Sequence, residues 1–332
     1  MNRRDFFKSA FSMGVGLVGA SALKPLYAND EMKEFRGPDV PDVDAIKVSE
    51  RCYSIPAMGP HPTPENFGMF SNPGFIVTSE GVVVVDTGSS VQIGEMILRQ
   101  IKKVTDKPVV KVINTHFHGD HWLGNHAFVE ANPNVEILSH QDCITTLKNG
   151  ADKFWFDFMQ SNTNNKITGT VITLPNKTFA GGEEFTLGDT TFKIHHFGKV
   201  HTSSDIAVEV KNDKTIFMGD MVMRRVANME DGSYLGSIKA LDAVSKMDLK
   251  NIIPMHGTPD DMKLILEGKE FMETIYNNVA ELYDEGLSDF EMKPIISEKP
   301  FMQNVASKWP GYDSAIGKFI VVAIKEVEQN MF

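Results

Sequence analysis

Apolar residues in this chain fall into two kinds of run. Stretches of strand length, CYSIPA (52–57), FIVTS (75–79), VVVVD (82–86), VVKVIN (109–114) and VEILSH (135–140), are separated by a segment of helical period, SVQIGEMILRQIKKVT (90–105). A second set begins near Val171 with VITL (171–174), TFKIHHF (191–197), DIAVEV (205–210) and TIFMGD (215–220). It continues through a helix, SIKALDAVSKMD (237–248), a strand, NIIPM (251–255), and a long helix from about Asp260 to Glu285. The alternation predicts a layered α/β architecture in two β-then-α halves. In KFWFDFM (153–159), Phe154, Trp155 and Phe158 share one helical face; core packing is the expected use and a pocket wall the alternative.

Three segments lack either period. Residues 1–28 have a charged start, an apolar Gly-rich middle and small residues before a cut after Ala28, which reads as a secretory signal. Arg3 and Arg4, followed by Asp5, Phe6, Phe7 and Lys8, resemble the twin-arginine export signal, so a periplasmic protein is expected, with no stable membrane anchor once the signal is removed. Residues 29–45 are polar and proline-bearing and read as a linker, which makes 46–332 one catalytic domain with a C-terminal helical extension. The third segment, 56–74, is long and rich in Pro and Gly; such loops are often functional lids, and its His61 is expected to be solvated.

Composition narrows the classes. The chain has 332 residues, a net charge of -11 and a pI near 5.4, which argues against a surface built to coat nucleic acid. Two cysteines, Cys52 and Cys143, are too few for a disulfide framework, although an oxidising compartment would permit one bridge.

Four of the ten histidines crowd into THFHGDHWLGNH (115–126). In an extended segment, side chains two apart point to the same side, so His116 and His118 can converge on one ion. Gly119 lets the chain turn, aiming Asp120 and His121 at a second position. Further ligands are expected at other strand ends: His201 in GKVHTSSDI, Asp220 in IFMGDMV and His256 in IIPMHGTP. Each alone is a weak signal, since a lone His at a strand end is more often structural. Their order along the chain is the strong one.

Through THFHGDH, HTSSD, MGD, PMHG and VVVVDTG (82–88), residues 46–260 resemble the metallo-β-lactamase superfamily. The resemblance implies a four-layer αββα sandwich with the site at one edge of paired sheets. It also implies one zinc held by His116, His118 and His201, a second by Asp120, His121 and His256, and Asp220 bridging them. Asp86 is expected to support the loops rather than bind metal. Asp220 stands where the best-known antibiotic-hydrolysing subclass has cysteine, so the pattern is closer to the glyoxalase-II-like and sulfur-metabolism-associated branch.

The activity implied is that of a dinuclear zinc hydrolase whose bridging hydroxide attacks an activated carbonyl, in a thioester, ester, lactone or β-lactam, with Asp120 orienting the nucleophile or relaying its proton. A mononuclear iron (one Fe2+) persulfide dioxygenase shares nearly all these ligands and is the rival. A nuclease is disfavoured by charge, and a non-catalytic metal-binding module by the intact ligand set. Two divalent ions, two carboxylates and a hydroxide leave a centre near +1, which with Arg224 and Arg225 just beyond Asp220 points to a small substrate bearing a carboxylate. The sequence leaves the natural substrate and the oligomeric state open.

Overall fold

A computed structural model describes residues 35–226 and 228–331. The expected signal, with Arg3 and Arg4, lies outside the described residues. Twelve strands are described: β1 (Ile46–Lys47), β2 (Cys52–Ser54), β3 (Gly74–Val77), β4 (Val82–Val85), β5 (Val109–Ile113), β6 (Glu136–His140), β7 (Lys177–Phe179), β8 (Glu184–Leu187), β9 (Thr190–His195), β10 (Ala207–Val210), β11 (Thr215–Phe217) and β12 (Asn251–Ile253). The helices are α1 (Val91–Val104), α2 (Gly119–Trp122), α3 (Asn125–Ala131), α4 (Gln141–Thr146), α5 (Asp152–Asn162), α6 (Tyr234–Ser245), α7 (Lys263–Asp284), α8 (Asp289–Ser297), α9 (Pro300–Lys308) and α10 (Tyr312–Met331).

The strands form two sheets, a seven-stranded one in sequential order β1 to β7 and a five-stranded one in the order β12-β11-β10-β9-β8. Alternation within β4 shows how they stack. Val83 and Val85 pack with Phe192, Val208 and Phe217 of the second sheet, while Val82 and Val84 pack with Met96 and Ile97 of α1. A strand buried on both faces needs a continuous apolar run, which is why this one is four valines. On the far side of the second sheet, Ala207 and Ile216 meet Leu241 of α6 and Leu264 of α7. The result is the αββα sandwich. Helices α7 to α10 add a separate apolar cluster around Phe271, Ile316 and Phe319.

The site-bearing edge follows from strand direction. β4, β5, β6 and β7 run parallel in one sheet and β11 and β12 run parallel in the other. Ligands sit in the loops just beyond β5, β11 and β12, outside the carboxyl ends of parallel strands, where α/β sheets place their sites.

Two expectations need correction. VITL (171–174) joins no strand; Ile172 and Leu174 pack on a small cluster around Trp122 and Ile167, and the last strand of the first sheet is Lys177–Phe179 instead. Phe154 and Phe158 do not pack into the core, since they are 61% and 37% exposed. The described part of the expected linker is irregular but fastened: Arg36 pairs with Glu95 and Glu130, Gly37 donates to Thr168 O at 2.8 Å, and Val40 is buried.

Candidate metal centre

The loop after β5 delivers four of the seven expected ligands. His118 is the residue before α2, with extended φ/ψ of -69°/143°, and the short helix then turns Asp120 and His121 away from it. Position 119 must be glycine because a Cβ there would stand 2.8 Å from the Cβ of Trp155. The second sheet supplies the rest: His201 in the loop after β9, Asp220 after β11, and His256 after β12. Gly219 takes a left-handed φ of 57° against Thr115, a turn that presents Asp220.

All seven side chains are buried, and they converge as two groups. His116, His118, His201 and Asp220 bring one ligand atom each within 4.8 Å of one another, and Asp120, His121 and His256 do the same. His201 Nε2 lies 3.1 Å from His118 Nδ1, and His121 Nε2 lies 3.2 Å from Asp120 Oδ2. Asp220 joins the groups: its Oδ2 is 3.5 Å from His201 Nε2 and 3.1 Å from His256 Nε2, and its Oδ1 is 3.5 Å from His121 Nε2.

Most of the outward-facing ring nitrogens have partners that fix the rings. His116 Nδ1 meets Thr115 Oγ1 at 3.0 Å, His118 Nε2 meets Asp231 Oδ2 at 3.0 Å, His121 Nδ1 meets Asp86 Oδ2 at 2.8 Å, and His256 Nδ1 meets the carbonyl of Phe70 at 2.7 Å. Among the inward atoms, His201 Nε2 and His118 Nδ1 face each other and five others have no partner. His116 Nε2, His121 Nε2, His256 Nε2, Asp120 Oδ2 and Asp220 Oδ1 are buried without a hydrogen-bond partner. A buried polar atom left unpaired is costly, and five aimed at one small volume fit a cation in it.

The titration behaviour agrees. Burial pushes the His201 imidazole down to about 3 and holds that of His116 well below its ordinary value, so both offer free lone pairs. Burial opposes ionisation of Asp120 and Asp220, yet the adjacent histidines, His121 and His256, bring both well below the carboxylate range. His121 is raised well above its ordinary value: burial disfavours its charge, but Asp120, Asp220 and Asp86 together prevail.

A family model for the metallo-beta-lactamase superfamily matches residues 67–256, a stretch that holds all seven candidate ligands and ends on His256. The chain belongs to the metallo-beta-lactamase superfamily. It is similar to a metallo-beta-lactamase type 2 from Elizabethkingia meningoseptica, 23% identical over 234 residues, which cover 69% of this chain and 76% of that one. A linear primary-alkylsulfatase from Pseudomonas sp. is 44% identical over 54 residues, 16% of this chain and 10% of its own length. The solved structure of a sec-alkylsulfatase from Pseudomonas sp. superposes with a TM-score of 0.66 at 16% identity, covering 85% of this chain and 50% of that chain. The chain thus spans half the length or less of the alkylsulfatases it matches. Superfamily membership, in a family of metal-dependent hydrolases, accords with the two ligand groups.

Around this superfamily centre, the two arginines part company. Arg224 also borders the cleft beside His256, but its charge is matched by Asp260 at 2.7 Å and Glu267 at 2.9 Å. Arg225 donates Nη1 to Pro60 O at 2.6 Å, lies 5.3 Å from the Phe70 ring, and keeps Nε buried without a partner. It lines a cleft of about 320 Å³ that also touches His256, Phe70, Pro56 and Pro310. The loop 56–74 is a buttress in its second half rather than a free lid: Ser71 Oγ donates to Asp120 O at 2.7 Å, Asn72 N to Met255 O at 2.7 Å, and Phe70 O holds His256. Its His61 is exposed.

Three supporting residues deserve naming beside the ligands. Asp86, with φ of 58°, accepts from Thr115 N at 2.8 Å and Thr115 Oγ1 at 2.9 Å as well as facing His121. Asp205 accepts from the backbone N–H groups of His201 and Thr202, both at 2.7 Å, and burial pushes its carboxyl up to about 7. Asp231 fixes His118. Sequence reasoning singled out Asp86 but missed the other two; the Asp205 signal was present in HTSSD, whereas Asp231 sits in a loop without pattern.

Proposed function

We propose that this chain is a hydrolase of the glyoxalase-II-like branch that holds two zinc ions, one at His116, His118 and His201, one at Asp120, His121 and His256, with Asp220 shared. Its substrate is a small molecule with an activated carbonyl, in a thioester, ester, lactone or β-lactam, and an anionic group. The carrying observation is the set of buried, unpartnered ligand atoms that meet in two groups linked by Asp220.

Bound there, two divalent cations would lower the pKa of water to about 7 and offset charge that develops on a carbonyl oxygen. Asp120, ionised between His121 and His256, holds the attacking water by its proton and returns that proton to the leaving group. Asp86 and Asp231 keep His121 and His118 in the tautomers that point a lone pair inward. Arg225 supplies the cation for the substrate's anionic group, which enters the cleft beside it.

A sulfate ester is the second reading for the scissile group, favoured by the 54-residue likeness to an alkylsulfatase. Arg225 suits a sulfate as well as a carboxylate. A metal-counted preparation screened against thioesters, lactones, a chromogenic cephalosporin and an alkyl sulfate separates the readings. One iron per chain, with oxygen uptake on glutathione persulfide, would replace the hydrolase by the dioxygenase. We further propose export to the periplasm by the twin-arginine route; Lys in place of Arg3 and Arg4 should leave uncleaved precursor in the cytoplasm, and normal secretion would refute that route.

A further inference from the structure

Helix α5 spends its aromatic residues in an unusual way. Of its eleven residues only Met159 is buried, while Phe154 and Phe158 face solvent. Yet the rings are not scattered. Phe154 and Trp155 lie 5.4 Å apart, Trp155 and Phe158 5.5 Å, and Phe154 and Phe158 6.3 Å, so they form one continuous strip. The strip ends on the metal centre: the Trp155 ring is 4.7 Å from the His118 ring, and the Trp155 Cβ packs on Gly119. Exposed aromatic surface is unfavourable in the free protein, and a contiguous patch of it usually serves binding.

We infer that the strip Phe154, Trp155 and Phe158 is the subsite for the apolar part of the substrate. This rests on the hydrolase reading for what the substrate is, and on geometry alone for where its tail lies. Arg225 lies over Phe70, whose ring stacks on His256, and also lines a cavity with His201 and Asp220, whereas the strip meets the centre at His118. A substrate that spans the centre therefore carries its anion toward Arg225 and an alkyl or aryl group over α5. Continuity of the rings with His118 is what selects substrate as the occupant rather than a second protein. The strip is open on one face, so a chain lying on it is covered about halfway.

The test is binding, not turnover. Zinc-loaded protein is titrated with straight-chain carboxylates from butanoate to decanoate while tryptophan emission is followed; Trp122 is fully buried and Trp309 nearly so, which leaves Trp155 to report. Full burial of a methylene tightens binding about fourfold and half burial about twofold, so affinity should rise about twofold per added carbon. In the double variant Phe154→Ser, Phe158→Ser, which alters exposed positions and should keep its metal content and melting temperature, that dependence should flatten. An equal slope in the variant, or no slope in the wild type, overturns the inference. So does a dimer in sedimentation that the variant dissociates, since the strip would then be an interface between copies. Failure to hydrolyse any thioester, ester, lactone, cephalosporin or alkyl sulfate in the metal-counted screen, with the slope intact, would instead condemn the hydrolase reading and leave the subsite standing.

Discussion

At the scale of single residues, the environment decides which of two like side chains takes part in chemistry. Arg224 and Arg225 are neighbours in sequence, but Arg224 is neutralised by Asp260 and Glu267, and Arg225 is not. Arg225→Ala should therefore raise KM about tenfold or more for an anionic substrate, with kcat less affected and a neutral analogue unchanged, because a charge-assisted contact is worth about 1.5 to 3 kcal/mol. Arg224→Ala should leave KM alone. Kinetics on a charged and a neutral substrate check both, and equal effects on the two substrates would remove Arg225 from the anion site. Asp86 invites a second test. It touches no inward ligand atom, but it sets the tautomer of His121, so Asp86→Asn should weaken metal binding at the second group about 10- to 100-fold while sparing the first. Competition with a chromogenic chelator would show two unequal affinities; unchanged binding would make Asp86 purely structural.

At the scale of elements, the sequence was legible wherever an apolar run had both faces covered. VVVVD, VVKVIN and TIFMGD each became a strand with a ligand or support residue beyond its end, because continuous apolarity and a following polar residue are what a buried parallel strand and its active loop require. VITL and KFWFDFM misled for one shared reason. Periodicity records that a segment is apolar and not what the fold provides to cover it; Ile172 and Leu174 found side-chain contacts without a ladder, and Phe154 and Phe158 stack with Trp155 yet stay exposed to solvent. The contacts of Asp231 with His118 and of the loop 56–74 with Asp120 and His256 join parts of the chain far apart in sequence, so no local pattern announces them. Cys52 on β2 and Cys143 in α4 are legible only in structure as well. Both are free and wholly buried, and burial pushes each thiol from 9.0 to about 12. The folded state thus resists an ionisation that the unfolded chain undergoes, so their contribution to stability is complete below about pH 8.5 and is lost as pH rises toward 12. Ellman's reagent at pH 8 should find neither thiol in folded protein and two after unfolding. A fast-reacting thiol in the native state would contradict the burial.

At the scale of the whole molecule, the centre is assembled from both halves. The first sheet's loops contribute His116, His118, Asp120 and His121, and the second sheet's contribute His201, Asp220 and His256, so each ligand group draws on both halves. Asp220 is the one ligand whose two oxygens reach both groups. The most direct test of the account is the metal content of protein loaded in its native host, measured by mass spectrometry for the wild type, Asp220→Ala and His256→Ala. Two equivalents in the wild type are expected, with loss from both groups in Asp220→Ala and loss chiefly from the second group in His256→Ala. Two tightly held equivalents in Asp220→Ala, or a single metal in the wild type, would contradict a centre shared through Asp220.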